Sequence, residues 1–199
     1  MRGNSLETAE NRLNREKMMY RLQKDLTRDR FAHTMGVKKT AIDMARTFGE
    51  DEEKAGLAGL LHDCAKCMTL EQMLKMAKNE PTDAVSQKSK ALMHAVAGRA
   101  MAETVYGVKD EEVLDAIRWH TTGRAGMSRL EKIIYLADMI EPTRKPYPGL
   151  EELRALCHED LDEAMHTALL QSMHHVLEQG KELHPDTMAA LEEYEYARK

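Results

Sequence analysis

The sequence has few aromatic residues, few cysteines and no long apolar run. Aromatic residues make up 5% of the 199 residues, with one tryptophan and two phenylalanines. No run of about 18 apolar residues occurs that could cross a membrane, and residues 1–10 contain no stretch resembling a signal peptide. Three cysteines are an odd number, which argues against a disulfide framework. We therefore expect a cytoplasmic protein with no membrane partner.

The sequence also lacks an excess of positive charge. Lysine and arginine number 29 against 34 aspartate and glutamate residues, which gives a formal net charge of −5 and a pI near 6.0. Binding to a nucleic-acid duplex favours a basic surface, so nucleic acid is not an expected partner. Apolar residues at 42% and charged residues at 32% are typical of a globular protein, and the length suits one domain.

Residues that favour helices are abundant and recur at helical spacing. We find no convincing alternating pattern of the kind that predicts strands, and no internal repeat. The sequence therefore predicts an all-α bundle. Helices are expected over residues 7–26, from Thr27 to Gly49, over 51–65, from the cap Thr69, over 91–105, over 110–120, from a Ser128–Glu131 capping box, and over 159–179. Residues 81–90 and 121–128 are expected to be loops, and the tail after Pro185 to add one or two turns.

Three polar side chains are predicted to point into the core from three different helices. His33 shares a helical stripe with Val37 and Met44, and His120 and Asp138 each follow apolar residues at helical spacing. A buried carboxylate is costly unless it is paired or bound to a metal, so Asp138 needs a cation.

The doublet His62-Asp63 lies between these residues in the chain. An imidazole nitrogen and a carboxylate oxygen both suit divalent transition metals. The doublet alone is weak support for a metal site. Its position in the series His33, His62-Asp63, His94, His120 and Asp138 is what makes the pattern specific.

This order of residues resembles the six-ligand form of the HD phosphohydrolase superfamily. Within it, the sequence resembles the bacterial YqeK family of symmetrical bis(5'-nucleosyl)-tetraphosphatases through AHT (32–34), LLHDCAK (60–66), HTTGRAG (120–126), LAD (136–138) with Glu141-Pro142 and Arg144, and HPDT (184–187). The resemblance covers about residues 18–190, and no ligand is missing. It implies an HD-domain helical bundle as a single domain over residues 18–199, preceded by an extension over residues 1–17 to which we assign no function.

The resemblance also implies the activity and the metals. The family consists of iron enzymes that split diadenosine tetraphosphate into two ADP by attack of a metal-bound hydroxide. Two divalent or mixed-valent transition-metal ions are implied, the first held by His33, His62, Asp63 and Asp138, and the second by His94 and His120 with Asp63 bridging. Iron follows from the resemblance alone, because manganese, cobalt or zinc also suit these ligands.

Contacts to phosphate are expected from residues near these ligands in the sequence. Phosphoryl transfer depends on positioning and on stabilising negative charge, which calls for cations beside the metals. The expected substrate-binding residues are Lys66, Thr121, Thr122, Gly123, Arg124 and Arg144, and Asp63, Lys66 and Arg124 are the expected catalytic residues. For each of the three cations considered alone, an ordinary solvated charge is the alternative interpretation.

The remaining histidines and the Cys64-x-x-Cys67 pair do not fit the metal motif. We interpret His158, His166, His174 and His175 as surface or packing residues, and place His184, in the tail that resembles the family, as a candidate neighbour of the site. Because no second cysteine pair exists, Cys64 and Cys67 are interpreted as packing residues.

Other functions remain compatible with the same ligands. One alternative is an HD-domain hydrolase acting on a mononucleotide, a deoxynucleoside triphosphate or a guanosine alarmone, and another is a non-catalytic signalling module. The base preference and the oligomeric state, a homodimer included, are left open by the sequence.

Overall fold

The structure, a computed structural model, describes residues 9–197, with side chains described for residues 14–196. All regular structure in this part of the chain is α-helical, as predicted. The helices are α1 (Ala9–Asp25), α2 (Arg28–Phe48), α3 (Glu52–Leu61), α4 (Leu70–Met76), α5 (Ala84–Lys88), α6 (Lys90–Thr104), α7 (Glu111–Trp119), α8 (Arg129–Ile140), α9 (Leu150–Glu159), α10 (Leu161–Glu178) and α11 (Pro185–Ala197). Residues 7 and 8 of the first predicted helix lie outside the described residues.

Local chemistry sets several helix ends where the sequence predicts them. Thr27 caps α2 by accepting a hydrogen bond from the Arg30 amide, and α2 ends at Gly49, whose φ of 69° is readily available to glycine. Thr69 and Gln72 form a reciprocal capping box at the start of α4. These three expected boundaries are confirmed.

The expected capping box at Ser128 is only half formed. The Ser128 side chain accepts a hydrogen bond from the Glu131 amide and caps α8. The Glu131 carboxylate, however, pairs with Arg124, through bonds of 2.8 Å from Nε and 2.6 Å from Nη2. An ion pair with a neighbouring loop thus replaces the return bond to the cap.

Three segments are more helical than expected, and one is less. The predicted loop over residues 81–90 contains α5, which is capped by Asp83 and is too short to show an apolar period. Helix α9 was not expected after the three prolines at 142, 146 and 148, and α11 extends well beyond two turns. Conversely, the helix predicted over residues 51–65 ends at Leu61 and is followed by turns from His62 to Cys67.

The centre of the bundle consists of helices that carry the predicted metal ligands. Helix α2 packs against α3 and α8, while α7 packs against α3, α6 and α8, and α10 covers α8 together with α9. Ile133, Ile134 and Leu136 of α8 are fully buried between these helices. No helix in residues 9–197 is both long and apolar enough to cross a membrane.

Candidate metal centre

Five different helices bring the six predicted ligands together. His33 lies in the second turn of α2, His94 lies within α6 and Asp138 lies within α8. His62 and His120 are the residues that end α3 and α7, and Asp63 follows His62 directly. The four histidines and Asp63 are buried, and the Asp138 side chain is 18% exposed.

His33, His62 and Asp138 form one group of potential metal donors. The Nε2 atom of His33 lies 3.0 Å from Oδ1 of Asp138 and 3.4 Å from Nε2 of His62. Donor atoms of these three residues all lie within 4.8 Å of one another. One ion can be approached by all three from this arrangement.

A second group of potential metal donors includes Asp63. Donor atoms of His62, Asp63 and His120 also lie within 4.8 Å of one another. Oδ1 of Asp63 is 3.1 Å from Nε2 of His94 and 3.7 Å from Nε2 of His120, whereas Oδ2 is 3.5 Å from Nε2 of His62 and 3.8 Å from Nε2 of His33. Oδ1 of Asp63 therefore faces His94 and His120, and Oδ2 faces His62 and His33. His62 belongs to both groups.

The chemistry of the donor set fits transition-metal ions. Four imidazoles and two carboxylates converge, and these nitrogen and oxygen donors suit iron, manganese, cobalt and zinc. Oδ1 of Asp63 and Nδ1 of His94 are buried without a geometrically acceptable hydrogen bond among the described residues. A buried carboxylate oxygen in that condition is well suited to bind a cation.

The protonation states also suit metal binding. Burial acts to raise the pKa of Asp63, but the charge of His62 and the close contacts with the imidazoles of His120, His62 and His94 hold it well below its usual range. For Asp138, burial is likewise outweighed by the close contact with His33 and the charge of Arg144, so its pKa is also well below the usual range. Burial lowers the pKa of His94 to about 4. At neutral pH the carboxylates are ionised and His94 is neutral, as metal ligands must be. For His62 burial acts to lower the pKa, but the charges of Asp63 and Asp138 outweigh burial and raise the pKa, so His62 must release a proton when it binds a metal.

The outer nitrogens of three histidines donate to fixed acceptors. Nδ1 of His62 donates to the Gly59 carbonyl at 2.8 Å, and Nδ1 of His120 donates to the Ile117 carbonyl at 2.7 Å. Nδ1 of His33 lies 3.0 Å from Oε1 of the buried Glu141. Sequence reasoning assigned no role to Glu141, although it belongs to the Glu141-Pro142 string.

Three cations lie at the rim of the donor set. Nζ of Lys66 is 3.0 Å from Nε2 of His94 and 3.4 Å from Oδ1 of Asp63. Arg144 contacts Asp138 twice, at 2.5 Å to Oδ1 and 2.6 Å to the backbone carbonyl. Arg30, which sequence reasoning missed, lies 2.8 Å from Oδ2 of Asp63. Its spacing of three residues before His33 on α2 was the available signal.

The loop after His120 brings one of its expected contacts to the donor atoms. Oγ1 of Thr121 lies 3.2 Å from Nε2 of His120 and 3.4 Å from Nε2 of His94. Thr122 is buried, and its carbonyl accepts a hydrogen bond from Thr187. The Gly123 amide donates to the Trp119 carbonyl at 2.9 Å, so this amide is already used within the loop. The Arg124 guanidinium is held by Glu131 and by Asp115.

The other histidines and the cysteines contribute no donor to either group. His158, His174 and His175 are exposed, and His166 is buried beside Glu195. His184 is buried against Asp83 and Ser86. Cys64, Cys67 and Cys157 are free, and Cys64 is buried as expected. The packing role expected for Cys67 is wrong, because its position in the turns after α3 leaves it exposed.

Comparison with known proteins identifies relatives that match most of the chain. The HD domain family matches residues 30–143. A symmetrical bis(5'-nucleosyl)-tetraphosphatase of Bacillus subtilis is 40% identical over 176 residues, which are 88% of this chain and 94% of that protein. A protein of the same name from Halalkalibacterium halodurans is 40% identical over 182 residues, 89% of this chain and 95% of that protein.

A solved structure shares the whole fold. The crystal structure of an HD superfamily hydrolase from Clostridium acetobutylicum, described as involved in NAD metabolism, superposes with a TM-score of 0.88. The two chains are 40% identical, and the match covers 93% of this chain and 98% of that one. The chain therefore belongs to the HD-domain family, and within it to the family of the symmetrical bis(5'-nucleosyl)-tetraphosphatases.

Proposed function

We propose that this protein is a metal-dependent hydrolase that splits diadenosine tetraphosphate symmetrically into two ADP. The observation that carries the proposal is the position of Asp63, one carboxylate oxygen of which faces His94 and His120 while the other faces His62 and His33. The relatives that carry this activity in their names match nearly the whole chain, which supports the same substrate class.

In the proposed centre, His33, His62, Asp63 and Asp138 hold one ion, and His94 and His120 hold a second that Asp63 also binds. When bound, such ions lower the pKa of a water molecule toward neutrality and neutralise phosphate oxygens. Iron is the proposed metal because of the family, and the donor set is equally suited to manganese, cobalt or zinc.

Arg30, Lys66 and Arg144 are proposed to bind the phosphates. Their side chains are 31%, 31% and 36% exposed, so each reaches solvent while contacting a ligand of the centre. A guanidinium has five N–H donors and an ammonium has three, more than the contacts within the protein use. The remaining donors can bind phosphate oxygens, and Lys66 can stabilise negative charge as the reaction proceeds.

The loop after His120 is proposed to complete the phosphate contacts. Thr121 offers a hydroxyl beside His94 and His120, and Gly123 supplies a φ of 64° that turns the chain next to buried Thr122. Nε and Nη2 of Arg124 are used by Glu131 and Asp115, so Nη1 is the group that we propose to approach the substrate.

The products of diadenosine tetraphosphate in oxygen-18 water test this function. We expect ADP as the single nucleotide product, because two ions that hold neighbouring inner phosphates would direct water to the middle of the tetraphosphate. One heavy oxygen should appear in one of the two ADP molecules, because water and not a side chain is the proposed nucleophile. Mass spectrometry of a single turnover measures both.

Other products would separate the alternatives. Formation of AMP and ATP would contradict symmetrical cleavage and leave a metal-dependent hydrolase. No cleavage by the metal-loaded protein would favour the mononucleotide, alarmone or signalling alternatives, which a panel of these nucleotides then distinguishes.

A further inference from the structure

We infer that Glu141 is a positioning residue that acts on the metal centre through His33. The inference deepens the proposed metal-dependent function and rests on it. Nδ1 of His33 contacts a carboxylate at the end of another helix, whereas Nδ1 of His62 and Nδ1 of His120 contact backbone carbonyls.

The two nitrogens of His33 contact different groups. Nδ1 lies 3.0 Å from Oε1 of Glu141, and Nε2 lies 3.0 Å from Oδ1 of Asp138 among the donor atoms. When Nδ1–H donates to Glu141, the proton is kept on the outer nitrogen and the lone pair of Nε2 faces the centre. Glu141 thereby selects both the tautomer and the orientation of the ring.

The position of His33 within its helix explains why it needs this partner. His62 and His120 end their helices, where carbonyls of the last turn lack intrahelical partners and accept from Nδ1. His33 lies inside α2, where nearby carbonyls already accept amide hydrogen bonds. Nδ1 of His94, which also lies inside its helix, has no acceptor among the described residues, whereas Nδ1 of His33 has one on another element, Glu141 at the end of α8.

Glu141 is itself held firmly. Its side chain is 1% exposed. Oε2 accepts the Thr143 amide at 2.6 Å, and Oε1 accepts the Thr143 hydroxyl at 2.7 Å. Its backbone carbonyl also accepts from Arg154 at 3.2 Å. The carboxylate cannot rotate without losing the two bonds from Thr143.

Gly36 provides the space for this carboxylate. A Cβ atom at position 36 would lie 2.4 Å from Oε2 and 3.2 Å from Cδ of Glu141. Any larger residue on this face of α2 must displace the group that holds His33. A glycine inside a helix is otherwise unfavourable relative to alanine, so the close approach gives it a reason to be there.

Titration of the full chain with Mn²⁺, with free ion followed by electron paramagnetic resonance, tests the inference. Glu141→Gln removes the charge, and its amide cannot satisfy His33 and Thr143 as the carboxylate does. We expect one class of Mn²⁺ sites to weaken by about tenfold or more. The matched control is Glu131→Gln, which alters another buried carboxylate of the same helix without contact to a ligand, and it should leave Mn²⁺ affinity unchanged.

Gly36→Ala provides a second variant with an intact Glu141. We expect the same weakening of Mn²⁺ binding, although alanine ordinarily stabilises a helix relative to glycine. Adding Glu141→Gln to a His33→Ala protein should cause no further loss of affinity, because the effect passes through His33.

Unchanged Mn²⁺ affinity in both Glu141→Gln and Gly36→Ala would overturn the inference. It would also be overturned if Glu141→Gln weakened binding as much in the His33→Ala protein as in the wild type. A wild-type chain that binds no Mn²⁺ would overturn the proposed function together with this inference. The two preceding outcomes would overturn this inference alone.

Discussion

At the scale of single residues, Arg124 illustrates how nearby carboxylates direct a cation. Its side chain is about one third exposed, while the Glu131 side chain that it contacts is 2% exposed. The pair joins the loop after His120 to α8, and Asp115 at 3.3 Å extends it to α7. Arg124 is therefore placed to stabilise the fold as well as to serve the proposed site.

Replacement of Arg124 by alanine should destabilise the protein. The buried Glu131 would lose its partner, and we expect a loss of roughly 2 kcal/mol, less than for a fully buried pair because Arg124 is partly exposed. Urea denaturation measures the change. The control Arg129→Ala, at an exposed position on α8, which also carries Glu131, should change stability by less than about 0.5 kcal/mol. A raised KM with unchanged stability would contradict the structural role.

At the scale of elements, a small polar cluster joins α5 to the start of α11. Oγ of Ser86 donates to Oδ2 of Asp83 at 2.6 Å, and Nε2 of His184 lies 3.1 Å from the same oxygen. Burial acts to raise the pKa of Asp83, but these bonds and the Ser86 amide outweigh it and lower the pKa. Asp83, in the segment expected to be a loop, is thus joined to His184, which lies 101 residues later and directly precedes α11.

His184→Ala should loosen this connection. We expect a loss of about 1–3 kcal/mol, because Ser86 and Asp83 lose a buried partner, together with faster hydrogen exchange in α5. His174→Ala, at an exposed position on α10, is the matched control and should have no such effect.

The pH dependence of this cluster follows from the direction of the Asp83 shift. Because its folded pKa lies below the unfolded value of 3.8, its contribution to stability is present above that pH and is lost as the pH falls toward the folded pKa.

Equal exchange rates in α5 of the wild type and His184→Ala would contradict the proposed connection between α5 and the start of α11.

At the scale of the whole molecule, the described apolar side chains at the end of α1 and just after it pack on the core, and Arg15 nearer its start pairs with Glu53 of α3. Leu22 and Leu26 are buried in the core, and Met18 and Met19 pack against it partly buried. Glu16 and Lys17 are exposed. Helix α1 runs across the proposed boundary before residue 18, which stays a prediction; residues 1–8 of the proposed extension and the side chains of residues 9–13 lie outside the described part of the chain.

Two deletions test that boundary. Removal of residues 1–17 should leave the thermal midpoint nearly unchanged. Removal of residues 1–26 should lower it strongly, because burial of each leucine is worth about 1.5–3 kcal/mol. Thermal denaturation followed by circular dichroism measures both, and equal destabilisation by the shorter deletion would place the boundary earlier in the chain.

Local sequence determined the features that depend on near neighbours. The caps at Thr27 and Thr69, the end of α2 at Gly49 and the inward direction of His33 follow from side chains within a few residues and from helical period. The order of the metal ligands was visible for the same reason, since it is a property of the chain alone.

Tertiary structure decided which distant groups meet. Glu141 contacts His33 across 108 residues, and Arg30 contacts Asp63 across 33. Local spacing places Arg30 one turn before His33 but identifies neither of these contacts. Arg124, expected at the phosphate, pairs with Glu131 because folding places a buried carboxylate beside it. A charged side chain is directed by the fields and acceptors around it, and those are known only when the helices have packed.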